Sequence, residues 1–569
     1  MARLASTPPA IVILGPGALS TARSVQSVFP GAQVHALSTR VQADVPFTEL
    51  ARHLGELYAQ GVPIIALCAA GIVIRCLAPL LANKGNEPPV LAVAEDGSAV
   101  VPLLGGLAGV NSMARQIATA LNVAPAITTS GELRFGACLL NPPDGYALAD
   151  IDQGKRFVSD LLAGADTRLE GDMPWLRAVD LPEHAQARHA IRLTPQRWHG
   201  AADELVIHPR CVLAAVTALD EIEAQIRSAL AAQDLSPLAL AALLAPAHWM
   251  GVTELADAAA ALKVPLRFVD AESTTAAALF AGSPVQIHGT LGIAETALDI
   301  THIGRARGVL SVLGLGPGRA DLLTPAAHTA LREATDILGY ATYTAMAGPF
   351  RADQTVHATD NREELQRARH AFELAAQGRR VAMVSSGDPG VFAMATATLE
   401  ALDQSGNPDW ARVDLRIIPG VSAALATAAE AGAPLGHDFC MLSLSDNLKP
   451  WRIIESRLRH AAEADLVMAF YNPVSRARPW QLDRALDVVR EYRKPETVVV
   501  LGRDIGRPGG ALVTTTLGAL RSEQVDSRTM VIIGSTHTRV MGLGGEALGV
   551  GVSGHGGGGW VYTPRWYHG

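Results

Sequence analysis

Short runs of consecutive apolar residues recur along the chain, and amphipathic stretches separate them. Near the amino terminus, runs at 11–14, 64–68, 90–93 and 99–103 predict buried strands, and the period of residues 111–121 predicts an amphipathic helix. Strands that alternate with helices are typical of an α/β layer domain. The sequence therefore predicts an α/β fold for this part of the chain.

The pattern becomes less regular in the middle of the chain. Residues 136–202 predict an irregular region with one helix over 152–163. A second α/β pattern follows, with strands at 205–210 and 265–269 and helices at 221–233 and 238–245. It closes near Gly304, and the exposed Arg305–Arg307 stretch predicts a connector to the second half.

Four apolar runs in the second half each end in a turn of small or polar residues. The turns are Gly314-Leu-Gly-Pro-Gly318, Ser385-Ser-Gly-Asp-Pro-Gly390, Pro419-Gly-Val-Ser422 and Tyr471-Asn-Pro473. Small residues at the carboxyl end of a strand let a ligand approach the backbone. Asp388 adds an acceptor and the stretch from Val391 to Met394 adds apolar surface, so the pattern suits a ligand with a polar amino-acid end and a flat adenine-like end. Taken singly, each turn is equally typical of an ordinary strand-to-helix connection.

The remaining pattern of the second half predicts helices that are opened by prolines or capping residues. Thr324 is the predicted cap of the first, with Pro325 at its first helical position. The predicted helices are 323–334, 361–378, 392–404, 422–431, 450–462 and 479–492, and the predicted strands are 498–501, 530–533 and 560–567. Residues 542–559 contain 10 glycines in 18 residues, which predicts a flexible loop.

Composition narrows the class of protein. With 569 residues, the chain is too long for one core and predicts about three or four domains. The net charge of −8 argues against a nucleic-acid partner, and no apolar run is long enough to predict a membrane span. Five scattered cysteines predict reduced thiols rather than disulfides or a metal site, so a cytoplasmic location is expected.

The order of the four turns resembles the tetrapyrrole methyltransferases, which use S-adenosyl-L-methionine. Within that family, the stretches SLSDNLKPW (443–451), FYNPVSRARPWQL (470–482), GRDIGRPGG (502–510) and YTPRWY (562–567) are most similar to the precorrin-3B C17-methyltransferases of cobalamin biosynthesis. The resemblance covers about 308–569. It implies two lobes that meet near 418–421, with the cofactor between them.

The resemblance also implies roles for particular residues. Cofactor contacts would fall on Gly316, Pro317, Gly318, Ser386, Gly387, Asp388, Val391, Phe392, Ser422, Ala423, Asn472 and Gly502. The candidates for proton transfer are Asp321, Asp446, Lys449, Tyr471 and Arg503. The candidates for binding substrate carboxylates are Arg319, Arg351, Lys449 and Arg476. For each charged residue the alternative is a solvated surface charge.

The activity implied by the resemblance is methylation of precorrin-3B at carbon 17 with contraction of the macrocycle to precorrin-4. Methylation at another ring carbon, such as 11 or 20, and methylation of a non-tetrapyrrole remain alternatives, and the sequence leaves open whether the substrate carries cobalt. The implied partners are the small tetrapyrrole, neighbouring corrin-pathway enzymes and a second copy in a homodimer.

The first half resembles CbiG, the cobalt-precorrin-5A hydrolase, in the stretch 68–118, and 203–304 resembles its carboxyl-terminal domain, also known alone as CobE. The predicted domains are therefore 1–135, 136–202, 203–304 and 308–569. Leu103-Leu104 is followed by Gly105-Gly106-Leu107, where the hydrolase family has a Ser-Gly-His stretch. Because no hydroxyl or imidazole remains there for acid–base chemistry, a non-catalytic binding or channelling module is expected, with a residual hydrolase as the alternative.

Overall fold

A computed structural model describes residues 8–29, 31–81, 87–136, 138–172, 174–177, 179–351, 353–360, 363–475, 479–541 and 559–566. The chain divides into two compact units. Unit 1 comprises Met1–Arg307 with Arg351–Asp353, and unit 2 comprises Gly308–Phe350 with Gln354–Gly569. Among the helices of these ranges, none combines the length and the apolar character needed to cross a bilayer.

Unit 1 begins with a six-stranded sheet in the order β3-β2-β1-β4-β5-β6, parallel except for the pairing of β5 with β6. Its strands are β1 (Ala10–Ile13), β2 (Gln33–Leu37), β3 (Val45–Phe47), β4 (Ile64–Leu67), β5 (Val90–Val93) and β6 (Val100–Leu104). Helices α1 (Leu19–Gln26) and α4 (Val110–Leu121) cover one face, and α2 (Leu50–Ala59) and α3 (Ala70–Leu77) cover the other. This layered arrangement confirms the predicted α/β fold.

The middle region contains a sheet that its weak pattern did not predict. The order is β7-β10-β9-β8, formed by β7 (Tyr146–Leu148), β8 (Thr167–Glu170), β9 (His189–Leu193) and β10 (Glu204–Pro209). Helices α5 (Ser130–Phe135) and α6 (Ile151–Leu162) accompany it. The expectation of an irregular region was wrong. Strands β7 and β8 are short and only partly buried, so the sequence shows no continuous apolar run that would predict them.

The third sheet has the order β13-β12-β11-β15-β14. Its elements are β11 (Val212–Ala215), α7 (Ile222–Ala232), β12 (Leu240–Pro246), α8 (Thr253–Leu262), β13 (Leu266–Val269), α9 (Ala276–Leu279), β14 (Gln286–His288) and β15 (Leu291–Ile293). The helix predicted at 238–245 was wrong, since these residues lie mainly in β12, all seven residues of which are buried. A buried central strand is apolar on both faces, so its leucines and alanines lack the alternation that would distinguish it from a helix.

Unit 2 begins with a five-stranded, wholly parallel sheet in the order β18-β17-β19-β16-β20. Its strands are β16 (Val309–Gly314), β17 (Asp336–Tyr340), β18 (Thr355–Thr359), β19 (Arg380–Ser385) and β20 (Asp414–Ile418). Its helices are α10 (Pro325–Glu333), α11 (Ala341–Ala347), α12 (Glu364–Ala376), α13 (Met394–Ser405) and α14 (Pro408–Ala411). The Thr324 side chain caps α10 as predicted, 3.3 Å from the Ala327 amide.

The second lobe of unit 2 has a mixed sheet in the order β22-β23-β26-β24-β25 and a small sheet in the order β21-β28-β27. Its elements are α15 (Ala423–Ala431), β21 (Gly432–Ala433), β22 (Phe439–Ser443), α16 (Trp451–Glu463), β23 (Val467–Tyr471), α17 (Gln481–Arg490), β24 (Val498–Arg503), β25 (Ala511–Thr516), β26 (Thr529–Ile533), β27 (Arg539–Met541) and β28 (Trp560–Tyr562). The last strand is shorter than predicted, and residues 542–558 of the loop predicted over 542–559 lie outside the described residues.

Candidate functional site

Three glycine turns meet at the carboxyl edge of the parallel sheet in unit 2. They follow the neighbouring strands β19, β16 and β20, so their backbones converge. A Cβ on Gly314 would lie 2.2 Å from the Gly387 carbonyl oxygen, and one on Gly420 would lie 2.3 Å from the same atom. Because these contacts involve backbone, only glycine fits at both positions, and the three turns form one tightly packed edge.

Two of these turns are also joined by a pair of backbone hydrogen bonds. The Gly316 amide donates to the Gly387 carbonyl at 3.1 Å, and the Gly387 amide donates to the Gly316 carbonyl at 2.8 Å. Both residues have positive φ, 67° and 71°. The GLGPG and SSGDPG turns therefore form a single rigid surface, and the crevice beyond the carboxyl ends of parallel strands is where ligands bind in open α/β sheets.

Asp388 links the second and third turns through its carboxylate. One oxygen accepts from the Gly390 amide at 2.8 Å, and the other accepts from the Gly420 amide at 3.0 Å. Both contacts are to backbone groups on strand-end turns. The carboxylate predicted to contact a cofactor thus also fixes the spacing between the turns.

Helix α15 begins directly beside Gly387. The Ser422 hydroxyl caps the helix by accepting from the Leu425 amide at 3.3 Å, and the Tyr471 hydroxyl accepts from the Ala424 amide at 3.2 Å. A Cβ on Gly387 would meet, within 4 Å and among the residues that the structure describes, only Ser422 and the Ala423 amide nitrogen, at 3.6 and 3.8 Å. The turn and the helix start therefore border a small open cradle.

The edge of the second sheet approaches the same crevice. The Asn472 side-chain amide donates to the Ser443 hydroxyl at 3.1 Å, which joins the ends of β22 and β23. The ring centroids of Phe392 and Tyr471 lie 5.2 Å apart, one on each lobe. Phe392 is 52% exposed, so a broad apolar face remains available beside the polar turns.

The loop Asp504–Gly510 between β24 and β25 supplies a residue that the sequence analysis missed. The Arg507 guanidinium donates to the Pro317 carbonyl at 3.1 Å and lies 3.3 Å from the Ser386 hydroxyl. The sequence held one signal for Arg507, which is its position between Gly506 and Pro508 in the stretch GRDIGRPGG (502–510). With Arg319 and Glu430, the loop borders a cavity of about 660 Å³.

Asp321 and Arg319, predicted for proton transfer and substrate binding, pair with each other. The Arg319 guanidinium grips the carboxylate with two nitrogens, Nε at 2.9 Å, and also lies 3.4 Å from Glu430. This hydrogen bond holds the pKa of Asp321 below its ordinary value. Asp321 is therefore a carboxylate near neutral pH, able to accept a proton but not to donate one.

Asp446 and Lys449 lie on the loop that follows β22, beside the edge that carries Asn472. The Asp446 carboxylate accepts from the Gln481 side chain at 2.9 Å. Burial, with a contribution from the positive charge of Arg457, lowers the pKa of Lys449. A lysine whose charge is disfavoured is suited to proton transfer or to pairing with a carboxylate ligand.

The other predicted residues have local partners or lie elsewhere. Arg503 pairs with Asp526 at 2.9 Å, and Arg351 pairs with Asp353 at 2.9 Å in the segment grouped with unit 1. Gly502 packs on α15, where a Cβ would lie 2.4 Å from the Thr427 hydroxyl oxygen. Arg476 lies outside the described residues.

The described residues provide neither a cluster of metal ligands nor a reactive thiol. No group of three His, Cys, Asp or Glu side chains there could hold a metal ion. The five thiols are unbonded, and burial raises the pKa of Cys68, Cys211 and Cys440 to about 11, which leaves them protonated and poorly nucleophilic.

The comparisons with known proteins match both halves of the chain. The model of the tetrapyrrole (corrin/porphyrin) methylases matches residues 309–521, and the model described as cobalamin synthesis G N-terminal matches residues 52–132. A precorrin-3B C(17)-methyltransferase from Sinorhizobium sp is 48% identical over 262 residues, which are 46% of this chain and 98% of that protein. A probable cobalt-factor III C(17)-methyltransferase from Salmonella typhimurium is 42% identical over 232 residues, 41% of this chain and 95% of that protein.

Among solved structures, the crystal structure of the methyltransferase CobJ is 50% identical and covers 45% of this chain and 100% of that chain, with a TM-score of 0.41. Family membership rests on the two sequence relatives, because the chain covers nearly their whole length at more than 40% identity. The chain belongs to the tetrapyrrole (corrin/porphyrin) methylase family.

Proposed function

We propose that unit 2 transfers a methyl group from S-adenosyl-L-methionine to carbon 17 of precorrin-3B, with contraction of the ring to precorrin-4. The observation that carries the proposal is the glycine edge at Gly314, Gly387 and Gly420, present in a chain that covers 98% of a precorrin-3B C(17)-methyltransferase. This edge lies where open parallel sheets bind ligands.

The residues of the crevice fit such a cofactor. The cradle between Gly387 and the start of α15 offers backbone polar groups and the hydroxyls of Ser386 and Ser422 to a polar amino-acid end. Phe392 and Val391 offer apolar surface to a flat aromatic end. When bound, the cofactor supplies an electrophilic methyl group on a positively charged sulfur.

The protein contributes orientation, exclusion of water and control of protons. Correct alignment of two bound reactants supplies up to about 7–11 kcal/mol of a barrier, which suits a site built of fixed backbone turns. Among the described residues near the second-sheet edge, the groups that can move a proton are Asp446, Lys449 and the Tyr471 hydroxyl. Tyr471 is already held by the Ala424 amide, which leaves its own proton free to be donated outward.

The alternative substrate in the same class is a cobalt-bearing macrocycle, as the name of the Salmonella relative suggests for that protein. The higher identity of the Sinorhizobium relative favours the metal-free form. A cytoplasmic location and a homodimer remain proposals from the family resemblance.

For unit 1 we propose a non-catalytic module that binds or hands on labile tetrapyrrole. The turn that follows β6 has Gly105 and Gly106 where the hydrolase family carries polar residues, and Leu107 beside them is 46% exposed. His208, on strand β10 of the same unit, is buried and bonds the Thr194 carbonyl, and burial lowers the pKa of its imidazole. It is therefore a neutral structural histidine.

The experiment incubates the full chain, and a chain beginning at Gly308, with metal-free precorrin-3B and methyl-labelled cofactor, and reads the product by mass and absorbance. We expect one methyl group and ring contraction from both chains. Label without contraction, or label only with a cobalt-bearing substrate, would refute the proposed reaction.

A matched pair of glycine variants tests the cradle. Gly387→Ala places a methyl group in it, whereas Gly406→Ala carries a similar backbone strain, φ 57° against 71°, at a helix end with nothing within 4 Å. We expect the first to lose most of its turnover and the second to keep it. Equal activities would argue against a cofactor at this edge.

A further inference from the structure

The loop Asp504–Gly510 lies in the second lobe but also contacts two turns of the first. Arg507 reaches Pro317 on the turn after β16 and Ser386 on the turn after β19. The contact is also steric. A Cβ on Gly506 would lie 2.8 Å from Pro317 Cγ, and one on Gly318 would lie 2.9 Å from Arg507 Cγ.

Both glycines therefore permit an approach that a side chain would prevent. Gly506 has φ of 81° and Gly318 has φ of 132°, so each also adopts a conformation that other residues rarely adopt. The planar guanidinium, with donors on two edges, can hold a carbonyl and a hydroxyl at once, and a lysine ammonium cannot reproduce that fork. The loop thus combines close packing with directional hydrogen bonds at a single point.

We propose that Arg507 is a positioning residue for cofactor binding, which fixes the Pro317 carbonyl and the Ser386 hydroxyl and so holds the two cofactor turns in their binding geometry across the lobes. The inference rests on the proposed function and extends it. Ser386 keeps its own proton for a ligand while it accepts from Arg507. The Asp504 carboxylate, 4.0 Å from the guanidinium, adds an opposite charge from the same loop.

The test measures binding of S-adenosylhomocysteine to the full chain by calorimetry, followed by steady-state kinetics. We expect Arg507→Lys to weaken binding and raise the cofactor KM about tenfold, the size expected for one lost hydrogen bond from a charged donor, while kcat at saturating cofactor changes less than threefold. Gly506→Ala displaces the loop but keeps the guanidinium, and it should likewise raise the cofactor KM with little change in kcat.

The matched control is Arg490→Lys. Arg490 also binds backbone carbonyls of a loop, those of Leu517 and Leu520 at 3.4 and 3.2 Å, but it lies at the end of α17. Its loss should lower the unfolding temperature without changing the cofactor KM. An equal KM change in both arginine variants would reduce Arg507 to a general stabilising role and overturn the inference.

A double-mutant cycle tests whether Arg507 acts through Ser386. We expect the affinity losses of Arg507→Ala and Ser386→Ala to overlap, so that the double variant binds little more weakly than the weaker-binding of the two single variants. Losses that multiply, or full affinity in Arg507→Lys, would contradict positioning through the turn and indicate a simple charge effect. If wild-type protein binds no S-adenosylhomocysteine, the proposed function itself fails, and the inference fails with it.

Discussion

The substitution Asp388→Asn distinguishes two roles for a carboxylate that the sequence predicts as a cofactor contact. Its two oxygens accept from the Gly390 and Gly420 amides at 2.8 and 3.0 Å. Asparagine keeps the shape and one acceptor, but presents an NH₂ group to the other amide. One hydrogen bond to a charged group is lost, and two donors then face each other.

A hydrogen bond to a charged group contributes about 1.5–3 kcal/mol, and Asp388 is only half-buried, so we expect a loss of about 2 kcal/mol in the free energy of unfolding of unit 2. For a unit of this size, about 2 kcal/mol corresponds to a fall of roughly 4–8 °C in the unfolding temperature. The assay is calorimetric unfolding of the ligand-free chain, in which the transition of unit 2 is identified as the one that S-adenosylhomocysteine raises.

The control is Asp414→Asn on strand β20 of the same sheet. Asp414 pairs with Arg416 at 2.9 Å near the surface, and such pairs contribute less than about 1 kcal/mol. If Asp388 served only to bind the cofactor, its substitution would weaken binding and leave the ligand-free unfolding temperature unchanged. That result would refute the role of its carboxylate in holding the turns together.

Two further predictions concern the second lobe. Gly502→Ala should destabilise unit 2 by about 1–3 kcal/mol in thermal unfolding, because its Cβ would lie 2.4 Å from the Thr427 hydroxyl oxygen; adding Thr427→Ala should restore part of the loss, and no restoration would argue against this contact. Lys449→Met should be more stable than wild type at neutral pH, since burial lowers the pKa of the lysine and its charge is then unfavourable in the fold. Between the lowered pKa and about 10.5, the unfolded chain binds more protons at this site than the folded chain. The free energy of unfolding of the wild type should therefore rise relative to that of the variant as pH increases over this range. A difference in the free energy of unfolding that stays constant between about pH 7 and 10 would contradict burial as the cause.

The elements that the sequence predicted well are those whose physics is local. Strand β16 and the turn after it are visible because a buried apolar run ends in glycines, and the start of α10 is visible because Thr324 caps it and Pro325 follows. Strand β12 was mistaken for a helix because burial on both faces removes the periodicity that separates the two. Here the tertiary environment decided the structure, and the local pattern did not contain that information.

The candidate site shows the same division between local and long-range information. The turns could be predicted, because each needs glycine within a few residues of a strand end. The pairing between turns could not, because it joins distant residues: Asp388 reaches Gly420, 32 positions away, and Arg507 reaches Pro317, 190 positions away. Arg319 shows how the fold can also change a prediction. The sequence predicts that it binds a substrate carboxylate, but in the fold its guanidinium pairs with Asp321 and Glu430.

This division explains why the missed residue is an arginine on a loop. A glycine at a turn is constrained by its own backbone, so its identity reveals its role, whereas an arginine is compatible with almost any exposed position. The role of Arg507 follows only from the two groups that it contacts, and those lie 190 and 121 positions earlier in the chain, on the turns after β16 and β19. The contact requires that neither Gly506 nor Gly318 carries a side chain. In the sequence, these two glycines are therefore a clearer indication of the contact than Arg507 itself.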